Sequence, residues 1–283
     1  MRRTASEREK SAHRRLAACA VAALCAFGRG ASAGDGPTPA LPGDDPVALV
    51  TAFEGGVKAH LKDRAVEALV ADTKEALARH GKADGKVRER YGAALTSILR
   101  GCTDDGVQKA AIVAIGETKD AALFPPLRPF LAQPNKKETP PLLLAAVDAC
   151  GKLVADEAVP PLIAIVKDSK SMPAAQAAMK ALGSFGGSKR MRATIVKELS
   201  GTVGKDRPGV GRKYDRDAET GETYSQGETR TGEEGQNRWA SLAPALVEAF
   251  NRMTGQSCGS AEEWLSLVDK YKNRLQELFP SVR

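Results

Sequence analysis

The side chains that could do chemistry are few. Among 283 residues there are three histidines, His13, His60 and His80, and five cysteines, Cys19, Cys25, Cys102, Cys150 and Cys258. A zinc or iron site needs several nitrogen, sulfur or oxygen ligands converging at fixed spacing, and neither His60 nor His80 has a Cys or His neighbour at such a spacing. Both stand near expected helix ends and read as solvated residues. No nucleophile elbow and no Gly-rich dinucleotide turn occurs, and Gly204-Lys205-Asp206-Arg207-Pro208-Gly209 departs from the phosphate-loop pattern. The acidic residues recur at helix-surface spacing, where solvation accounts for them. No catalytic, cofactor-binding or metal-ligating residue is assigned, no cofactor is expected, and the chain is expected not to be an enzyme.

Charge and cysteine usage depend on the first 33 residues. Arg2, Arg3, Arg14 and Arg15 precede an apolar run from Leu16 to Phe27, and Ala31-Ser32-Ala33 has the small-x-small form of a cleavage site. The run is too short to span a bilayer. Residues 1–33 therefore read as an export signal, giving an exported, periplasmic or secreted protein without membrane insertion after its removal. The signal holds seven Lys/Arg and two Asp/Glu, or +5 of the formal +7. A nearly neutral remainder lacks the basic stripe that nucleic acid binding requires. Cys19 and Cys25 leave with the signal. Cys150 falls at an apolar helix position and reads as a buried thiol, while a Cys102–Cys258 bridge is open but has no spacing in its favour.

The elements that would position any site repeat themselves. Ala110-Ala111-Ile112-Val113-Ala114-Ile115-Gly116, Ala145-Ala146-Val147-Asp148-Ala149-Cys150-Gly151 and Ala177-Ala178-Met179-Lys180-Ala181-Leu182-Gly183 share one pattern, with glycines 35 and then 32 residues apart. Ten residues beyond the first two glycines comes the second proline of Pro125-Pro126-Leu127 and of Pro160-Pro161-Leu162; the third copy has Arg192-Ala193 there, followed by Ile195, Val196 and Leu199. Such periods mark stacked helical hairpins. Counting back from each glycine, positions −9, −6, −5, −2 and −1 form the apolar face of a helix. Alanines there allow close helix approach, the glycine suits a left-handed C-cap, and the prolines suit the first turn of the next helix.

On the three Ala-Ala-x-x-Ala-x-Gly cores and the two Pro-Pro-Leu segments, the chain resembles the HEAT family of bacterial repeats, including the phycobilisome-lyase-like type. The resemblance covers about a third of the chain. It implies an all-α fold, an α-solenoid of helical hairpins wound as a right-handed superhelix, which binds another protein, with the glycine-ending helices on the concave side. Some relatives attach or remove bilins, and others carry His-Glu metal sites; no His-Glu pair occurs here. The alternatives to a protein-binding scaffold are a bilin-lyase-like or other enzyme-associated activity and a structural envelope component.

Around the three copies, residues 34–45 form a Pro/Gly/Asp linker and 46–104 hold degenerate N-terminal repeats. The charged, Gly-rich stretch 201–236 is an insertion, read first as flexible, with a hairpin of Arg212–Asp215 and Glu222–Ser225 as the alternative. Helices resume at Asn237, and Ser260-Ala261-Glu262-Glu263 is a capping box opening a last helix to about Leu278. Trp264 belongs to its buried stripe, or else to an aromatic binding box.

The candidate protein-binding face takes positions −8, −7 and −3, expected to point outward. These are Gln108, Lys109 and Val113 in the first copy, Leu143, Leu144 and Asp148 in the second, and Ala175, Gln176 and Lys180 in the third. Leu143 and Leu144 would make an apolar spot flanked by Lys109, Gln176 and Lys180, or would pack with Pro140 against a neighbouring loop.

Overall fold

The computed structural model describes residues 45–132, 141–207, 213–216, 223–226 and 233–279, with the backbone alone for the two strands and for residues 233–234. The export signal, the linker through residue 44, Pro140 and much of the insertion lie outside the described residues. From Asp44 onward the chain is one compact unit.

Helices account for nearly all of it. In chain order they are α1 (Pro46–Asp63), α2 (Val66–His80), α3 (Gly85–Gly101), α4 (Asp105–Glu117), the short α5 (Arg128–Leu131), α6 (Pro141–Leu153), α7 (Val159–Asp168), α8 (Met172–Gly183), α9 (Lys189–Val203), α10 (Glu233–Thr254) and α11 (Ala261–Lys270). Even-numbered helices pack on one another in sequence, α2 on α4, α4 on α6, α6 on α8 and α8 on α10, while the odd-numbered ones form a second layer behind them. The architecture is the expected all-α solenoid of helical hairpins.

Local chemistry fixes where five of the helices begin. Asp45, Asp104, Ser171, Ser188 and Ser260 each accept a hydrogen bond from a backbone N–H of the first turn that they open. At the last of these the capping box closes from both sides, since Glu263 N–H donates to Ser260 Oγ and Glu263 Oε2 accepts from Gly259 N–H. The prolines fall where predicted: Pro160 and Pro161 lie in the first turn of α7, and Pro125-Pro126-Leu127 forms a 3-10 turn leading into α5. In the third copy Arg192 is buried instead, donating to Met253 O at 3.2 Å with its guanidinium 5.1 Å from the Phe279 ring centre.

Three expectations need correction. The repeat glycines are not left-handed caps: positive φ among glycines occurs at Gly85 and Gly255, whereas Gly116 and Gly151 lie within their helices and Gly183 is the last helical residue. Their role is close approach. A Cβ on Gly116 would lie 2.7 Å from Ala149 Cα, one on Gly151 3.0 Å from Ala181 Cβ, and one on Gly183 2.7 Å from Ala249 Cα. Each glycine thus meets the −2 alanine of the next helix in the layer, and the left-handed residues come three positions later, at Lys119 and Val154. The insertion is not wholly irregular: β1 (Lys213–Arg216) pairs antiparallel with β2 (Thr223–Gln226), Tyr214 opposite Ser225 and Asp215 opposite Tyr224. The last helix stops at Lys270, and the following turn brings Leu275, Leu278 and Phe279 into the core, which a straight continuation of α11 would carry past it.

Candidate protein-binding face

The repeat positions sort by angle. With about 100° per residue, positions −5, −8 and −4 lie within about 60° of −1, so −8 belongs to the core stripe and −3, about 200° round, faces away. The side chains obey this. Leu143 at −8 is only 2% exposed and Ala175 is fully buried; at −4, Ile112, Val147 and Met179 are fully buried too. Leu144 is half-buried against the same core. The apolar spot expected from Leu143 and Leu144 therefore does not exist: assigning −8 to the outer face misjudged the helical angle.

The −3 positions do face outward, with Val113 39% exposed and Asp148 and Lys180 exposed. Lys109 at −7 is exposed as well. Gln108 and Gln176 serve the fold instead. Gln108 Nε2 donates to Cys102 O at 2.8 Å across the α3–α4 turn, and Gln176 Nε2 donates to Ser241 O at 2.7 Å on α10.

Along this face the charges cross-link successive helices. Lys152 Nζ meets Glu117 of α4 at 2.9 Å and Asp148 of its own helix at 2.7 Å; Lys180 Nζ meets Glu248 of α10 at 2.9 Å, and Arg252 joins Glu248 at 3.3 Å and Ser184 Oγ at 3.2 Å. From α6 onward the row is thus self-neutralised. At the α2–α4 end it is not. There Lys74, Leu77, Lys109, Ala110, Val113 and Ala114 line an apolar groove of about 380 Å³. A larger cleft of about 600 Å³ lies behind, between α7 and α9, with Lys167 paired to Glu198 at 2.6 Å across its rim.

Two degenerate copies end the stack; the C-terminal one escaped sequence reading as a repeat, while the N-terminal one falls within the degenerate repeats expected over 46–104. Ala245-Leu246-Val247-Glu248-Ala249-Phe250 on α10 follows the pattern, with Asn251 in the glycine position; Ala249 is the alanine that Gly183 meets. Asn251 Oδ1 accepts from Cys258 N–H and from Trp264 Nε1–H, both at 3.0 Å, and its Nδ2 donates to Cys258 O at 3.2 Å. At the other end, Gly81 lies 35 residues before Gly116 and puts His80 at the core position held by Ile115, Cys150, Leu182 and Phe250.

Several of the remaining residues with potential chemistry serve the fold. Trp264 is fully buried, edge-on to Phe250 with ring centres 5.1 Å apart, so it closes the core and forms no binding box. Neither histidine is simply solvated. His60 Nδ1 is 2.7 Å from Asp72 Oδ2, tying α1 to α2. His80 is 1% exposed, with Nε2 3.5 Å from Asp120 Oδ2 and neither ring nitrogen in a hydrogen bond; burial, with Arg88 nearby, holds its pKa below 6.5. Cys102, Cys150 and Cys258 are all free thiols, and burial pushes the Cys150 thiol up to about 12. Among the described residues no cluster of three or more His, Cys, Asp or Glu is placed to hold a metal, and no helix is long and apolar enough to cross a membrane.

No curated protein and no solved structure matches the chain at a significant level. Residues 92–183, from within α3 to the glycine that ends α8, match a family model described as HEAT repeats. The glycine-on-alanine stacking seen in that same segment is the physical counterpart of the match, and over residues 92–183 the chain is similar to HEAT repeats.

Proposed function

We propose that this protein is an exported, non-catalytic scaffold that holds another protein against the layer of even-numbered helices. HEAT repeats commonly serve as interaction scaffolds, and one observation carries the reading to this face: Lys109, Val113, Asp148 and Lys180 project from successive helices of a single stacked layer. Glycine-on-alanine contacts space that layer more closely than bulkier side chains would, which favours bending toward it and a concave surface. Such a surface binds through shape and a few anchoring side chains. Export rests on the basic, apolar and small-residue segments of residues 1–33.

The test places a photo-crosslinking phenylalanine analogue at Val113, Asp148 or Lys180 and, as a control, at exposed Lys197 on α9, in the protein's own host. The expected result is a discrete protein adduct from the three face positions and none from Lys197. The adduct should come from the exported fraction, on a chain whose N-terminus lies near Gly34. Adducts from Lys197 alone, or an intact Met1 on soluble cytoplasmic protein, would overturn the corresponding half of the proposal.

A further inference from the structure

The groove between α2 and α4 differs from every other junction in its layer. At the later junctions a glycine seats on the −2 alanine of the next helix, leaving no space for even one methyl group. Gly81 holds the equivalent place in α2, yet the nearest atom to a Cβ there is the carbonyl oxygen of its own helix residue Leu77, at 3.9 Å. The α2–α4 junction is therefore open where the others are shut. Leu77 at −4 stays half-buried although its counterparts Ile112, Val147 and Met179 are completely covered, and Val113 is one of the more exposed large apolar side chains.

The rim carries one sign of charge. Lys74 and Lys109 both border the groove, both are exposed, and no acidic residue lines it. On the rest of the face the lysines are satisfied internally, Lys152 by Glu117 and Asp148 and Lys180 by Glu248. Among the described residues Lys74 and Lys109 have no such acid within ion-pair distance. The floor offers little to orient a small polar ligand, since the Thr73 hydroxyl is already donating to Leu69 O at 2.8 Å. A recessed apolar slot with cationic edges matches a chain segment that inserts a bulky apolar side chain and carries carboxylates beside it.

We propose that this groove docks a short acidic segment of the partner protein, anchored by an aliphatic side chain against Leu77, Ala110 and Val113 and steered by Lys74 and Lys109. The proposal rests on the scaffold reading above and gives its partner a chemistry. A flat bilayer would meet the lysines and not reach the slot between the helices, so a lipid surface fits less well.

The probe is a short fluorescein-labelled peptide with two adjacent leucines flanked by glutamates, followed by anisotropy with the full mature protein. One control peptide has serines for the leucines, and another has lysines for the glutamates. The glutamate–leucine peptide should bind, each control should bind on the order of tenfold more weakly, and rising salt should weaken binding. Lys74→Glu with Lys109→Glu should reverse the preference between the glutamate and lysine peptides. Val113→Trp should fill the slot and remove binding of both, while Lys197→Glu on α9, off this face, should change nothing. All of these positions are exposed, and a far-UV melt confirms the fold of each variant. Equal binding of acidic and basic peptides, indifference to charge reversal, or binding of anionic phospholipid vesicles in place of the peptide would overturn the proposal. If the peptide fails while crosslinks at Asp148 and Lys180 persist, the groove is wrong and the scaffold stands; if both fail, the scaffold reading falls with it.

Discussion

The two ends of the even-numbered layer solve one problem differently. The last helix of the layer, α10, has no following helix to seat on its glycine position, whereas the first, α2, has α4. On α10 that position is Asn251, whose amide makes three hydrogen bonds to the closing segment at Cys258 and Trp264. The C-terminal end is thereby sealed with a satisfied polar network. On α2 the corresponding residues are His80, whose ring is buried without a hydrogen bond, and Gly81, which nothing crowds. A buried imidazole with no hydrogen bond and an open groove are costs a stack does not need, since Ile115, Cys150 and Leu182 fill the same core position with apolar side chains. The contrast teaches that one end of this solenoid is a lid, and the other is built less tightly than packing alone would make it.

The largest effect should separate shut junctions from the open one. Gly183→Ala places a Cβ 2.7 Å from Ala249 Cα, a backbone atom that can move only if α8 and α10 separate. Despite the better helix propensity of alanine, the substitution should cost about 3 kcal/mol in urea unfolding. Gly81→Ala, in right-handed helical geometry with φ −66° and free space around it, should instead stabilise slightly, by about 0.5 kcal/mol. Equal losses from the two would mean that α2 and α4 stack as tightly as the rest.

A smaller effect should test whether the sealed end is set by the repeat or by its polar network. Asn251→Gly restores the residue that the three clear copies have. If the repeat pattern governed, this change would be harmless. The network argues otherwise: it strips partners from Trp264 Nε1, Cys258 N–H and Cys258 O in one step. A loss of about 2 kcal/mol is expected, with a shift of tryptophan fluorescence as the indole loses its acceptor.

Much of this was legible in the sequence because the repeat is written in residue size. Three alanine-rich cores, their spacing and the Pro-Pro-Leu segments were enough for the fold, since small residues at fixed angles dictate helix stacking. What a glycine does there was not legible. Gly116 could cap a helix by its φ or admit a neighbour by its missing Cβ, and the letter is the same for both. The N-terminal repeats were legible as degenerate ones, but the copy on α10 was missed for a related reason: Asn251 replaces the signature glycine where the stack stops, so matching by letter passes over it. The candidate face was half legible. Val113, Asp148 and Lys180 at −3 are exposed as expected, but Leu143 at −8 lies within about 20° of the core direction. The groove at α2–α4 arises from how two helices fail to close, and no single segment encodes that.

The smallest effect concerns His80 and the open end itself. Its ring sits in a core position with Asp120 Oδ2 3.5 Å away, and Asp120 is also 3.7 Å from Arg88 Nε. Burial is the main cause of its lowered pKa; Arg88 adds to the shift and Asp120 opposes it. In the unfolded chain the imidazole regains its ordinary value near 6.5. Between the folded and unfolded values the unfolded state binds more protons, so stability must rise with pH there. The contribution is complete above about pH 6.5 and is lost as pH falls from there through the folded value. The thermal midpoint should therefore decline on acidification from neutrality, before the carboxylates begin to protonate. His80→Leu puts in this position the residue that the third copy has at Leu182. It should raise stability at neutral pH by about 1 kcal/mol and flatten the decline, leaving only the carboxylate-driven loss at lower pH. If the variant keeps the full decline between neutrality and mildly acidic pH, His80 is not the titrating group, and the α2 end owes its openness to Gly81 and Leu77 alone.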